Sequence, residues 1–231
     1  RDGGFRSIVF MGHGLLVAMF LAVCVGFTVT LQQLKIRILP VATGLVLAGI
    51  LIALIFQKSS ASLIYGIFLL LMMMFMSNKR IHQATLMIAI WYITYPIMST
   101  THIFPHEELV EFAQRFSTER AQSLEYRFDN EKDLLEHANH KPNCGWGGWG
   151  RNRVYDDETG QDTSKTDGKL VLTLGVRGWF GFLSEAFFII APLWLAYKIQ
   201  HRKNVLTPIE AKLLSSHALI VAIILVDQMP N

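Results

Sequence analysis

Long apolar runs are the feature that most constrains the fold of this sequence. A helix needs about 20 apolar residues to cross roughly 30 Å of hydrocarbon, and six stretches of the chain come near that length. These stretches are residues 8–30, 38–56, 62–77, 84–99, 172–197 and 209–226. Because only helices and closed barrels satisfy their backbone groups in lipid, the pattern predicts an all-α fold, a polytopic transmembrane bundle of about six helices. The composition agrees, since 52% of the residues are apolar and 17% are charged, which excludes an ordinary soluble domain.

The connectors between these runs predict the orientation of the chain. The connectors LQQLKIR, SNKRIH and KIQHRKN together contain seven Lys and Arg residues, and such an excess marks cytoplasmic loops. We therefore expect one membrane domain over 1–231, with four helices in 8–99, an outward loop at 100–168 and two helices in 169–231. Because the chain starts at an Arg and stops just after an apolar run, we expect it to be an internal fragment of a longer protein.

The outward loop, residues 100–168, contains fourteen Asp and Glu residues against eight Lys and Arg. Its first half has apolar residues at helical spacings, which predicts one or two amphipathic helices. These residues are Leu109, Phe112, Phe116, Leu124, Phe128, Leu134 and Leu135. A stretch rich in Gly and Trp follows them.

Several kinds of chemistry leave no signature in this chain. The sequence has no basic tract typical of nucleic-acid binding, no Gly-Lys phosphate loop, no zinc spacing and no nucleophile elbow. Cys24 lies in an apolar run and Cys144 in the outward loop, so they do not predict a disulfide. The acids in DDETGQD, residues 156–162, suit a divalent cation or a solvated loop, and their spacing matches no defined calcium loop. We therefore expect no metal and no cofactor.

The stretch CGWGGWGRNR combines aromatic rings and guanidinium groups on a flexible backbone. Trp146 and Trp149 can stack on sugars, and Arg151 can bind a phosphate beside them. Alternatively, both tryptophans anchor the loop at the membrane interface and the glycines only form turns. Arg151 and Arg153 alternate along the chain, so an extended backbone points only one of them to a given side.

Other charged residues near the membrane each allow two interpretations. Arg127 can bind a diphosphate, or it can pair with Glu131 four residues later on a helix. Arg6 can belong to the same anion site or anchor the chain at lipid headgroups. His13 can be functional because an ionisable group in a membrane helix is costly, or it can bond to nearby backbone.

Arg177 lies near the start of the apolar run 172–197 and can bind substrate. It is also the obvious cation to neutralise Glu185 or Asp227, two acids within or bordering the later apolar runs. Structural pairing is the simpler of these two interpretations.

Three stretches resemble the C-terminal half of the O-antigen ligase and O-antigen polymerase superfamily. They are ERAQSLEYRFDNEKDLLEHANHKPNCGWGGWGRNRVYD, TDGKLVLTLGVRGWFGFL and LVDQMPN. Members of this superfamily are bacterial inner-membrane glycosyltransferases that use glycans linked to undecaprenyl diphosphate. The resemblance implies a multi-pass protein of that membrane with residues 100–168 in the periplasm. It also implies a lipid-linked glycan as donor, a lipid or saccharide as acceptor, and catalysis without a cofactor.

The resemblance also implies roles for individual residues. Periplasmic arginines of these ligases are proposed to hold the diphosphate, which suggests Arg127 and, after it, Arg6 for that role. The ligases usually have a His-Asn pair just before a Gly-patterned helix, and this chain has SKTDG there. Asp167 can replace the missing base, Lys165 can supply a cation, or the chain has lost ligase chemistry. A transporter component and a noncatalytic relative of the ligases therefore remain as alternatives.

Overall fold

The computed structural model describes residues 8–9, 11–37, 40–101, 103–156, 158–164, 168–202 and 205–229. Within these ranges the chain forms eight α-helices and no strand, with one isolated antiparallel bridge between Tyr155 and Asp162. The helices are α1 Gly14–Gln33, α2 Thr43–Phe56, α3 Ser60–Phe75, α4 Asn78–Thr100, α5 His106–Gln114, α6 Thr118–Asn139, α7 Lys169–His201 and α8 Pro208–Asp227. The predicted all-α class is confirmed for the part of the chain that the structure describes.

Three of the described helices are long and apolar enough to cross a membrane, which supports a membrane protein. They are Gly14–Gln33, Lys169–His201 and Pro208–Asp227. The sequence predicted six such helices, and the other three are less suitable for physical reasons. Helices α2 and α3 have 14 and 16 residues, about 21 and 24 Å at 1.5 Å per residue. Helix α4 has 23 residues but starts with the polar sequence NKRIHQ, which lowers its hydropathy.

The chain divides into two compact units, and the first lies within Arg1–Met87 and Leu193–Ile224. Small residues let its helices approach closely, as is common between membrane helices. A Cβ atom on Gly26 of α1 would lie 3.1 Å from Ile220 of α8, and one on Gly66 of α3 would lie 2.7 Å from Leu54 of α2. The helices of this unit are therefore in direct contact at their glycines.

Helix α8 begins with a capping box, in which two residues satisfy each other's free amides. The Thr207 amide donates to Glu210 Oε2 at 2.8 Å, and the Glu210 amide donates to Thr207 Oγ1 at 3.3 Å. Pro208 occupies the first helical position, where its missing N–H costs nothing. The sequence TPIE thus fixes the start of a helix that was predicted at 209–226.

The second unit lies within Ile88–Pro192 and Leu225–Asn231 and contains residues 100–168. This segment forms two helices, α5 and α6, where its spacing predicted one or two. Helix α6 buries a stripe at heptad-like spacing, formed by Ala121, Phe128, Glu131, Leu134, Leu135 and Ala138. Helix α5 has no buried residue.

Candidate functional site

Helix α7 is broken at Gly178, where φ is 62° and ψ is −168°. A break leaves carbonyls before it and amides after it without helical partners. The Gly/Trp loop, which we define as residues 141–153, supplies those partners. The backbone hydrogen bonds are Trp146 N to Gly175 O at 2.8 Å, Gly147 N to Val176 O at 2.9 Å, Trp179 N to Pro142 O at 2.7 Å and Phe180 N to Asn143 O at 3.1 Å. The loop is thus built into the break.

Two glycines allow the two backbones to come this close. A Cβ atom on Gly145 would lie 2.6 Å from the Gly178 amide nitrogen, and one on Gly178 would lie 2.5 Å from the Asn143 carbonyl carbon. Both glycines also have a positive φ, 68° and 62°, which other residues rarely adopt. Gly145 of the loop and Gly178 of α7 are therefore required for docking and are more than ordinary turn residues.

The two tryptophans of the loop have different environments. Trp146 stacks on His137 with ring centroids 4.4 Å apart, and its Nε1 donates to the His137 carbonyl at 2.9 Å. Lys141 Nζ lies 4.2 Å from the centre of the same ring. Trp149 is 99% exposed and has φ 66°. Trp146 thus holds the loop to α6, and Trp149 is the tryptophan whose ring is accessible for stacking.

Arg151 and Arg153 also differ in their contacts. Arg153 pairs with Asp162 at 2.5 Å, and hydrogen bonds from Ser164 and then from Arg153 hold the pKa of that carboxyl below its usual range. Arg151 is exposed, and its Nε donates only to the Gly148 carbonyl at 3.3 Å. Of these two arginines, Arg151 is therefore the one whose guanidinium has no acidic partner among the described residues.

Arg127 lies at the flank of the buried stripe of α6 and is half-buried. In the described part of the chain its side chain has no hydrogen-bond or ion-pair partner. The alternative pairing with Glu131 is wrong, because Glu131 is 4% exposed and bonds to α4. Arg127 is the least neutralised of the arginines that the sequence singled out and the structure describes.

Arg177 lies just before the break in α7, and both it and Lys169 contact the carboxylate of Glu185. Its NH1 is 3.6 Å from Glu185 Oε2, and Lys169 Nζ is 2.8 Å from Glu185 Oε1. The Arg177 side chain is 64% exposed, and 3.6 Å is too long for a good hydrogen bond. The expected pairing of Arg177 with Glu185 is present, and it leaves most of the guanidinium open to solvent.

The remaining residues of the predicted site fall into two groups. His13 caps α1, because its Nδ1 accepts a hydrogen bond from the Leu15 amide at 3.2 Å; this is the backbone-bonded alternative. Arg6, Lys165 and Asp167 lie outside the described residues.

In the acidic stretch at residues 156–162, a side-chain carboxylate accepts hydrogen bonds from nearby backbone amides. Asp156 Oδ1 accepts hydrogen bonds from the Glu158 and Thr159 amides and from the Thr159 hydroxyl. Those bonds, chiefly the ones from Thr159, hold the pKa of Asp156 below its usual range. In the described ranges no three His, Cys, Asp or Glu side chains are grouped as metal ligands would be.

A buried carboxyl, that of Glu131, connects α6 to α4, although the sequence suggested it only as a surface partner of Arg127. Tyr95 Oη donates to Glu131 Oε2 and Ser99 Oγ donates to Glu131 Oε1, both at 2.9 Å. His106 Nε2 lies 3.5 Å from Ser99 Oγ. No local pattern indicates this network, because Ser99 and Tyr95 are 32 and 36 positions before Glu131 and Glu131 lies among other helical acids.

Glu131 should make the stability of the protein depend on pH. Burial raises the pKa of its carboxyl above the usual range, although the bonds from Ser99 and Tyr95 act in the opposite direction. The folded state therefore binds the proton of Glu131 more tightly than the unfolded state does. The stability that this proton contributes is lost as pH rises through the pKa of the folded state. We expect the melting temperature in detergent to fall as pH rises above the ordinary range of a glutamate carboxyl, and Glu131→Gln to flatten that fall.

Glu136→Gln is the matched control, because Glu136 is an exposed residue of the same helix. This control should keep the pH profile of the unmodified protein. Equal profiles for Glu131→Gln and the unmodified protein would show that the buried carboxyl does not titrate in this range.

Comparison with protein-family models, with curated proteins and with solved structures found no match to this chain.

Proposed function

We propose that this protein transfers a glycan from an undecaprenyl-diphosphate carrier to an acceptor during synthesis of a bacterial surface polysaccharide. The observation that carries the proposal is Arg127, an arginine in an outward segment without a protein partner in the described part of the chain. Burying part of a guanidinium without neutralising it is unfavourable, and a ligand diphosphate would offset that cost with charge-assisted hydrogen bonds. The resemblance to the ligase and polymerase superfamily supports the same role.

Two other arginines of this unit also favour an anionic ligand. Arg151 has only a neutral carbonyl partner, and Arg177 has a long contact to an acid that Lys169 already neutralises. Together with Arg127 they are cations whose charge is incompletely compensated. Trp149, exposed in the same loop as Arg151, can stack on the sugar next to a bound diphosphate.

The proposed reaction is a displacement at the anomeric carbon. The acceptor hydroxyl oxygen forms the new bond to this carbon, and the bond to the diphosphate oxygen breaks with its electron pair on the diphosphate. Arg127, with Arg6, stabilises that negative charge, and Asp167 takes the hydroxyl proton as general base. The lipid diphosphate supplies the energy, so the reaction needs no nucleotide.

The position of the helix break distinguishes this proposal from a transporter. Broken helices of transporters bind their substrate near the midplane of the membrane. The segment of α7 after Gly178 contains 23 residues, 179–201, about 34 Å, which already crosses the hydrocarbon. The break therefore belongs at a membrane face, where a lipid diphosphate is found. In this proposal the six-helix topology holds, and residues 100–168 are in the periplasm of a bacterial inner-membrane protein.

Deletion of the gene in its host is expected to remove one glycan from the cell surface and to accumulate its lipid-linked precursor. A transfer defect leaves that precursor on the outer face of the membrane, where an added glycosidase digests it in spheroplasts. A transport defect leaves it protected inside. The unmodified gene should restore the glycan, and unchanged surface polysaccharide and intermediates in the deletion strain would refute the proposal.

A further inference from the structure

Leu109 and Phe112 of α5 and Phe116, in the turn just after the helix, form an apolar stripe that the described part of the chain leaves largely uncovered. Phe112 is 57% exposed, Phe116 is 73% exposed, and Leu109 on the same face is 37% exposed. The rings of Phe112 and Phe116 lie 5.1 Å apart, so they form one patch. Such a patch outside the candidate membrane spans usually marks an interaction site.

The end of helix α4 lies at the level of the membrane face. Thr100, the last residue of α4, lines the same small recess as Pro142 of the Gly/Trp loop and Trp179, the first residue after the break in α7. In the proposed function that break lies at a membrane face, because the segment after it is long enough to cross the hydrocarbon. Lys169 and Arg177, both charged, precede the break. The end of α4 is therefore at interfacial depth.

Helix α6 contacts the end of α4, and α5 in turn contacts α6. Glu131 of α6 bonds to Tyr95 and Ser99, which are in the last two turns of α4. His106, the first residue of α5, has its ring 4.4 Å from that of Phe128 in α6. Since α5 starts only six residues after α4 ends, its first residue lies within about 20 Å of the end of α4.

The polar residues of α5 give it one polar side. Glu107 and Glu111 lie about 100° or more around the helix from Phe112, whereas Glu108, four residues before Phe112, lies beside it. Amphipathic helices of low overall hydrophobicity lie in the interface plane with the apolar side about 5–10 Å into the headgroup and acyl boundary.

We propose that α5 and the turn after it lie in the membrane interface and insert Leu109, Phe112 and Phe116 into the outward leaflet of the lipid bilayer. The partner is the lipid itself, and the contact is apolar, so it does not need anionic lipid. This inference rests on the membrane-face position of the break in α7 that the proposed function includes, but it does not depend on glycan transfer. It places the α5–α6 pair, and therefore Arg127, at the depth of lipid headgroups.

The test uses a fluorescent label at single cysteines. In a Cys24→Ala, Cys144→Ser background, the solvent-sensitive dye NBD is attached at Phe112→Cys or at Glu107→Cys, the matched control on the opposite side of the helix. Both proteins are reconstituted in phosphatidylcholine vesicles with and without lipids that have a spin label near the headgroup. Phe112 and Glu107 are both solvent-accessible, so neither change disturbs a packed core.

The dye at position 112 is expected to emit at shorter wavelength and to be quenched by the spin-labelled lipid. The dye at position 107 should show neither effect. Emission that is shifted but not quenched at position 112 means that protein, such as a second copy of this chain, covers the stripe, and it overturns the proposal. Equal behaviour at the two positions also overturns it.

Discussion

Gly178→Ala is expected to detach the Gly/Trp loop from α7 and to destabilise the protein by about 3 kcal/mol or more. The backbone of Gly178 is in a region that is essentially restricted to glycine, which costs another residue about 1–3 kcal/mol. The new Cβ would also lie 2.5 Å from backbone atoms of Asn143. Part of the loss comes from the four backbone hydrogen bonds across the break, which contribute about 0.5–1.5 kcal/mol each.

The measurement combines the melting temperature in detergent with hydrogen exchange at individual amides. Trp146, Gly147, Trp179 and Phe180 donate the bonds across the break, so their amides should lose protection in Gly178→Ala. Gly145→Ala should have the same effect, because its Cβ would meet the same backbone from the loop side.

Two other glycines separate backbone strain from collision. Gly148 has no atom within 4 Å of a new Cβ, so Gly148→Ala should change stability by less than about 0.5 kcal/mol. Gly160 also has open space but a φ of 66°, so Gly160→Ala should cost about 1–2 kcal/mol from strain alone. If Gly178→Ala behaves like Gly148→Ala, the loop does not hold the break together.

The helices that the sequence predicted well are those with a local signal. Helix α8 differs from the predicted range by one residue at each end because the TPIE capping box and the apolar run both lie within it. The spacing of Phe128, Leu134 and Leu135 predicted the buried side of α6. A period of 3.6 residues is visible in a short window, so no tertiary information is needed.

The features that the sequence did not predict depend on distant residues. The break at Gly178 is stabilised by backbone bonds from residues 142–147, about 30 positions earlier, and backbone pairing leaves no side-chain pattern. Gly145 and Gly178 resemble ordinary turn residues in the sequence, because the distant backbone that each of them contacts is visible only in the structure. Glu131 is one of several acids in α6, and only its contacts with Tyr95 and Ser99 distinguish it.

Arg127→Ala is expected to lower glycan transfer on the order of 100-fold, the effect of losing one group that stabilises charge in a transition state. Arg127→Lys should also lower it strongly, because an ammonium keeps the charge but not the bidentate fork. Stability should hardly change, since the side chain has no hydrogen-bond or ion-pair partner among the described residues. The measurement is the rate at which the deletion strain with each variant consumes the lipid-linked precursor, at equal protein levels.

Lys132→Ala and Arg153→Ala are the controls for charge. Lys132 is exposed on the same helix, and Arg153 is already paired with Asp162. Both variants remove one positive charge, and both should keep transfer close to the unmodified rate. A similar loss in all three alanine variants would indicate a general electrostatic effect and would refute a specific site at Arg127.

Recognition of a lipid diphosphate is tested most directly by binding to the purified protein in nanodiscs. Undecaprenyl diphosphate should bind more tightly than undecaprenyl monophosphate. Arg127→Ala should weaken diphosphate binding about 10-fold or more, since a hydrogen bond to a charged group contributes about 1.5–3 kcal/mol. Equal affinity for the two lipids, or diphosphate binding that Arg127→Ala leaves unchanged, would contradict the proposed function.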